Sequence, residues 1–259
     1  VSMFFEGEEE SGSPSLVPYM KEHASALKAD LALICDTGMF DPQTPAITTA
    51  LRGLAKLELV ITGPDKDLHS GMYGGAAINP ARVLARILAD LHDDMGRVTL
   101  EGFYDGVPEL SNAQRDQWEG LGFDAEGFLT GVNLSVPAGE QGRSTLEMIW
   151  SRPTCEINGV NSGYTGAGFK TVLPSQAMAK ISFRLVGTQD PDAILRAFEA
   201  HVSARMPVDC SFEMRDADGA PATVMPIDHP AFEAARGALS DEWPRPAAFI
   251  GCGGSIPIA

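Results

Sequence analysis

The chain has 259 residues, with 35 acidic against 19 basic side chains and a formal charge of −16. That balance argues against nucleic acid or an anionic membrane as partner, because attraction to phosphate needs a basic face, and no apolar run approaches the length of a membrane span. The length suits one large domain or two modest ones, and the four cysteines, Cys35, Cys155, Cys210 and Cys252, lie far apart with no C-x-x-C pair, so neither a zinc knuckle nor a disulfide framework is indicated and a reducing cytoplasm is the expected location.

In chain order, residues 1–5 read as the tail of a buried strand that runs into Glu6, Glu8, Glu9 and Glu10 and then a glycine turn. Ser13 before Pro14 is expected to cap a helix reaching about Ala29. The continuous apolar run 31–35 is of strand length and would complete a β-α-β unit, bringing Glu9, Glu10 and Asp36 to one rim of a parallel sheet. Residues 37–52, with Pro42 and Pro45, read as a connection.

At Gly53 the pattern changes. Leu57, Leu59 and Ile61 alternate with Lys56, Glu58 and Thr62, the period of a strand with one wet face, so an antiparallel sheet is expected. Asn79 and Pro80 open a helix whose buried stripe is Val83, Leu84, Ile87, Leu88 and Leu91. Residues 97–103 read as the next strand, and 105–150 as a mixed segment with a short polar helix at 112–120. Strands follow at 154–158 and 177–186, the second alternating Ile181, Phe183 and Leu185 against Lys180, Ser182 and Arg184. Asp190-Pro191 opens a helix with Ile194, Leu195, Phe198 and Val202 inward, and 210–215 returns as a strand. Two strand-helix-strand units of this kind make a ferredoxin-like α+β domain. From about Thr223 the chain returns to the first domain through a helix at 230–243, ended by Pro244 and Pro246, and a short strand at 247–250 that delivers the turn Gly251-Cys252-Gly253-Gly254-Ser255.

The carboxylate cluster at 6–10 carries the clearest chemistry. Crowded acids repel unless a cation or a shared proton offsets them; hard oxygen ligands suit divalent metals, and a second acid beside a metal ligand can act as a general base. Taken alone, such a run is more often a solvated loop, an Asp after a strand is more often a turn former, a lone His is more often structural, and Arg184 would be a solvent-facing strand charge. Six stretches in one order change that weighting: EGEEESGS at 6–13, LICDTGMF at 33–40, DLHSGMYGG at 67–75, GFKTVLP at 168–174, ISFRLV at 181–186 and GGSIPIA at 253–259. Together they resemble the carnosinase-like branch of the di-metal aminoacylase and dipeptidase superfamily.

The resemblance implies an α/β fold: a metallopeptidase catalytic domain with a mostly parallel sheet at 1–53 and 224–259, interrupted at 54–223 by a ferredoxin-like lid that dimerises. It implies metal-dependent hydrolysis of an amide bond in a dipeptide or small peptide, with two divalent ions, zinc first and manganese or cobalt as alternatives. Glu9 matches the general base, which activates a metal-bridging water. Glu10 and Asp36 match metal ligands, His69 the lid histidine that meets the developing oxyanion, and Thr171, Arg184, Gly254 and Ser255 the groups that hold the substrate's carboxylate, for which an Arg fork is well shaped. The family's remaining metal ligands would lie outside this chain, which reads as a fragment. Two departures bear on substrate: many relatives carry Arg-Glu where this chain has Gly251-Cys252, and carnosinase-like relatives carry a histidine where it has Asp216-Ala217-Asp218. An N-acyl-amino-acid deacylase with the same machinery and a non-catalytic binding protein that kept the fold are the alternatives.

Overall fold

The computed structural model describes residues 2–256; Val1 and the end of the GGSIPIA stretch, 257–259, lie outside the described residues. The chain divides into two compact units, one made of the residues up to Leu51 and from Thr223 onward, the other of Arg52–Ala222. A 3-10 turn at Glu9–Ser11 and α1 (Leu16–Glu22) precede β1 (Ala46–Leu51). The second unit contains β2 (Gly53–Thr62), β3 (Leu68–His69), α2 (Ser70–Tyr73), α3 (Pro80–Ala89), α4 (Asn112–Gly120), α5 (Ala125–Thr130), α6 (Thr145–Trp150), β4 (Thr154–Ser162), β5 (Val172–Leu173), β6 (Gln176–Leu185), α7 (Pro191–Ser203) and β7 (Ser211–Ala220). The first unit closes with β8 (Thr223–Val224), α8 (Pro230–Glu242) and β9 (Ala248–Cys252).

In the second unit the strand order is β4-β6-β2-β7, every pair antiparallel. With α3 after β2 and α7 after β6, this is the ferredoxin-like arrangement. Strand periodicity explains it: Ala55, Leu57, Leu59 and Ile61 of β2 and Ala177, Ala179, Ile181, Phe183 and Leu185 of β6 are buried in one core with Val83, Leu84 and Ile87 of α3 and Ile194, Phe198 and Val202 of α7. Each large side chain fully buried there contributes about 1.5–3 kcal/mol. Both helices start where the sequence says they should. Asn79 accepts the Ala81 N–H at 2.9 Å and Asp190 accepts the Asp192 N–H at 3.1 Å, each with a proline in the first turn. His201 of α7 is buried and its Nε2 lies 3.2 Å from the Ile87 carbonyl, a tie between the two helices. Burial holds its pKa below the usual histidine range.

Residues 97–103 do not form a strand. Val98, Leu100 and Phe103 are buried, so the apolar residues serve packing, but the backbone turns and only the His92–Val98 bridge is made. The segment that follows is held by charge. Arg152 grips Glu140 through two bonds of 3.0 and 2.9 Å with both side chains buried, and Arg115 and Arg143 both reach the buried Glu147 at 3.4 Å. The Arg97 guanidinium lies 4.3 Å from the centre of the Tyr104 ring, a favourable placement over its negative face.

The first unit has a three-stranded sheet, β8-β1-β9, with β1 parallel to β9 and antiparallel to β8. β1 falls in the stretch expected to be a connection, where Ile47, Thr48 and Thr49 supply the β-branched run that favours a pleated surface. Phe232 of α8 packs edge-on against Phe249 of β9 with ring centres 6.0 Å apart. Neither residues 2–5 nor 31–35 form strands: Met3, Phe5 and Leu33 are 79%, 87% and 75% exposed. A strand needs a neighbour to satisfy its backbone, and among the described residues neither run has one, so the expected β-α-β unit and its shared rim are not formed. The helix after the acidic turn is also shorter than expected. Ser13 does not cap it; it sits at φ 50° with its hydroxyl buried and without a hydrogen-bond partner, and the cap position is Ser15.

Replacing Arg152 with Ala would leave the buried Glu140 with only the partly exposed Arg97, 3.9 Å away, as an ion partner, and loss of one partner of a buried pair costs about 3–5 kcal/mol. Urea denaturation of the full protein should show that loss for Arg152→Ala and a much smaller one for Arg196→Ala, whose partner Asp190 is exposed.

Candidate active site

The acidic turn sorts its own carboxylates. Glu6 accepts the Glu8 N–H at 2.7 Å and Glu8 accepts the Ser15 N–H at 3.0 Å, so these two acids brace the loop. Three backbone bonds complete it: Ser11 and Ser13 N–H groups to the Glu8 carbonyl at 2.9 and 3.0 Å, and Gly12 N–H to the Glu9 carbonyl at 2.8 Å. Gly12 stands at φ 83°, a conformation that favours glycine. The Glu9 and Glu10 carboxylates make no hydrogen bond or ion pair with other described residues. Partial desolvation, and after it the charges of Glu10, Asp36 and Glu6, hold the Glu9 carboxyl above the usual carboxylate range. The exposed Asp36 is thus within electrostatic reach of Glu9 although no strand carries it. Among the described residues no group of three or more His, Cys, Asp or Glu side chains is placed to hold a metal ion. Hard, crowded, unneutralised carboxylates fit a divalent cation, and Glu10 and Asp36 could supply only part of its shell.

In the same unit, β9 runs through Gly251 to Cys252, so the glycine turn begins later than expected. The Gly254 N–H lies 3.4 Å from the Cys252 sulfur, and Gly254 and Ser255 are exposed. Gly254 does not adopt positive φ, and an added Cβ would meet only that sulfur at 3.7 Å, so glycine is not required there by the backbone of this chain.

In the other unit His69 ends β3, a two-residue strand paired with β5, so that His69 lies opposite Val172 and Leu68 opposite Leu173. The Gly71 N–H donates to His69 Nδ1 at 3.0 Å, which fixes Nδ1 as the acceptor and leaves the ring proton on Nε2. Nε2 lies 3.3 Å from Thr171 Oγ1, and the Thr171 carbonyl accepts the Ser70 N–H at 2.9 Å. The ring is exposed in an open groove lined by Asp67, Leu68, His69, Phe169, Lys170, Thr171 and Val172. An exposed imidazole held as a donor through Nε2–H can meet negative charge that develops on an oxygen.

Arg184 lies on the polar face of β6, half-buried, opposite Leu54 and Thr154, and its guanidinium makes no ion pair or hydrogen bond with other described residues. An unpaired guanidinium there is suited to an anion. Arg184 and Thr171 are not together, however. Gln176 and Arg184 mark opposite ends of β6, roughly 27 Å apart at the rise of an extended strand, and Thr171 lies beyond the Gln176 end.

Comparison with known proteins follows this division. The model of the M20 peptidase dimerisation domain matches residues 49–210. The chain belongs to the M20 peptidase family. It is 30% identical over 203 residues to the Cys-Gly metallodipeptidase dug1 of Schizosaccharomyces pombe, covering 78% of this chain and 43% of that protein. It is 27% identical over 207 residues to the Beta-Ala-His dipeptidase of Mus musculus, covering 79% and 42%. Among solved structures, the M20 family metallo-carboxypeptidase Sso-CP2 from Sulfolobus solfataricus matches with a TM-score of 0.82 at 29% identity, over 98% of this chain and 57% of that one. The dipeptidase Dug1p from Saccharomyces cerevisiae matches with a TM-score of 0.79 at 28% identity, over 98% and 54%. The chain spans about half the length of the curated relatives it matches. The M20 dimerisation match takes in His69, Thr171 and Arg184 and leaves Glu9, Glu10, Asp36, Gly254 and Ser255 outside it.

Sequence reasoning finds His69 and Thr171 in this M20 chain but overlooks Asp67 and Gly71, which hold the ring's surroundings. The available clue is spacing, because an acid two residues before His69 lies on the same side of an extended segment. The tautomer has a direct test. Nitrogen-15 spectra at a pH where His69 is neutral should show a protonated Nε2 and an unprotonated Nδ1.

Proposed function

We propose that the chain is part of an M20 metallopeptidase that hydrolyses the amide bond of a dipeptide or small peptide, with the unit that carries the acidic turn as part of the catalytic domain and the ferredoxin-like unit as its lid. The observation that carries this reading is the sorting of the acidic turn, in which Glu6 and Glu8 are used by the backbone while Glu9 and Glu10 stay open beside Asp36. The names of the dipeptidase relatives support the substrate class, and Cys-Gly is the first dipeptide to assay.

On this reading Glu10 and Asp36 hold part of the shell of two divalent ions, zinc on the resemblance. Such ions supply polarisation of an amide carbonyl and water of lowered pKa. Glu9 is the general base: its carboxylate takes the proton of the attacking water and returns it to the leaving amine. His69 Nε2–H donates to the oxygen on which charge develops, and Arg184, Thr171, Gly254 and Ser255 hold the substrate's carboxylate. The location assigned is the cytoplasm, in keeping with four cysteines that are all free.

The lid forms a homodimer in this proposal, in line with the dimerisation domain that the family match names. Arg184 stands at one end of β6 and the separate β3–β5 ribbon of His69 and Thr171 adjoins the other, roughly 27 Å away at the rise of an extended strand and farther than a dipeptide reaches. A complete site therefore combines Arg184 of one subunit with His69 and Thr171 of the partner subunit.

Two experiments on the full-length protein test the roles. Glu9→Gln should keep its metal by elemental analysis and lose roughly 100- to 10,000-fold in kcat, the scale of a lost general base, whereas Glu10→Gln should lose metal first. Equal metal content with equal residual activity in both variants would overturn the assignment. Mixing His69→Ala with Glu9→Gln, each inactive alone, should restore activity as subunits exchange, since one hybrid site keeps both groups; demonstrated exchange without recovery would place His69 in its own subunit's chemistry or in none.

A further inference from the structure

We propose that Asp67 is a positioning residue for His69, acting through Ser175 across the β3–β5 ribbon; the inference rests on the reading in which His69 Nε2–H serves the reaction. β3 and β5 share two residue pairs, and so short a ribbon is marginal in water. Asp67 extends it. Its Oδ1 accepts both the Ser175 N–H at 2.7 Å and the Ser175 hydroxyl at 3.0 Å, and the Ser175 carbonyl accepts the Gly63 N–H at 2.9 Å. Ser175 immediately precedes β6, so one residue connects the ribbon to the end of the core sheet. On the far side of His69 the Ser70 N–H bonds the Thr171 carbonyl at 2.9 Å. His69 is thereby held between two cross-ties, one from Asp67 and one from Ser70.

The consequence for the ring is specific. Gly71 N–H meets Nδ1 at 3.0 Å within one segment, where His69 caps α2, whereas Nε2 meets Thr171 Oγ1 at 3.3 Å across the ribbon, and this second contact needs the two segments in register. Without the Asp67 tie, β3 is free to slide or lift from β5, the Thr171 contact separates while the local Gly71 contact remains, and the Nε2–H loses the partner that aims it. Asp67 touches neither the ring nor, on this reading, the substrate. Its effect is exerted through the backbone that carries the ring.

The test uses the full-length protein with Cys-Gly as substrate and nitrogen-15 spectra of His69 as a second readout that does not depend on turnover. Asp67→Ala should lower kcat about 10- to 100-fold, the scale of a misplaced catalytic group. KM should change little, and the Nε2 signals should move away from the parent's as the Thr171 contact is lost. Asp67→Asn keeps an oxygen that can accept both Ser175 bonds and should stay within about threefold of the parent, the range of a tolerated surface change, with the parent's ring signals. Ser175→Ala removes one of the two bonds and should fall between them, which keeps the test open if Asp67→Ala does not fold. Unchanged His69 signals in Asp67→Ala or Ser175→Ala, or Asp67→Asn as impaired as Asp67→Ala, would overturn the proposal. Full activity in His69→Ala would instead overturn the reading of His69, and the spectra would still decide whether Asp67 orders the ring.

Discussion

The ten-residue antiparallel pairing of β2 with β6 is the constraint on which the second unit depends. Its register, Gly53 opposite Leu185 through Thr62 opposite Gln176, decides which side chains enter the core, because a slip of one residue would turn Leu57, Leu59 and Ile61 outward together with Ile181 and Phe183. The same register sets out the functional groups. Arg184 is fixed opposite Leu54 at one end, and the chain leaving Thr62 and entering Gln176 at the other end forms the ribbon that carries His69 and Thr171. The separation of these groups follows from strand geometry and is therefore hard for loop motion to remove. If one substrate is to touch both ends, a second copy must supply one of them, and the dimer becomes a requirement of the proposed chemistry.

The acidic turn obeys a different constraint. Four glutamates within five positions cannot all be stabilised by the chain that carries them. Two accept backbone N–H groups, and these fold the loop into its glycine-ended turn. The other two side chains have no such bond, and partial desolvation first, then the charges of Glu10, Asp36 and Glu6, hold the carboxyl of Glu9 above its usual range. The arrangement is unfavourable for a bare loop and favourable for a loop that receives a cation, which is why the division of labour among the glutamates supports the proposed site better than their number does.

How far the sequence could be read depended on whether a residue's partner was nearby or periodic. The strands at Leu57 and Ile181, the caps at Asn79 and Asp190 and the polar helix at Asn112 were readable because period and capping are local. The segment from Asp105 to Trp150 was not, since it is organised by Arg152 finding Glu140 and Arg143 finding Glu109, pairings that spacing does not announce. Residues 31–35 failed in another way. Their apolar run has strand character, yet a strand is a property of two segments, and no second one is at hand among the described residues. At the site, motif resemblance assigned roles to His69 and Thr171, while Asp67 and Gly71 of the same DLHSGMYGG stretch, and Ser175 outside it, work through backbone contacts to which the motif assigns no role.

His69 joins these strands of argument. An exposed side chain on a short ribbon would ordinarily sample several rotamers and both neutral tautomers, and ordering it only when substrate and partner arrive would draw on the binding energy of that encounter. Here the ordering is completed within one chain. The Gly71 N–H selects the tautomer, Thr171 faces the resulting donor, and the Asp67 and Ser70 ties hold the two strands that bring these atoms together. The donor is therefore aimed before any partner is present, which is the condition for hydrogen-bond stabilisation of developing charge to operate without reorganisation at the moment of reaction. A group presented in this way is useful to a neighbouring molecule in proportion to its exposure, so the openness of the groove around His69 is consistent with service across a subunit boundary.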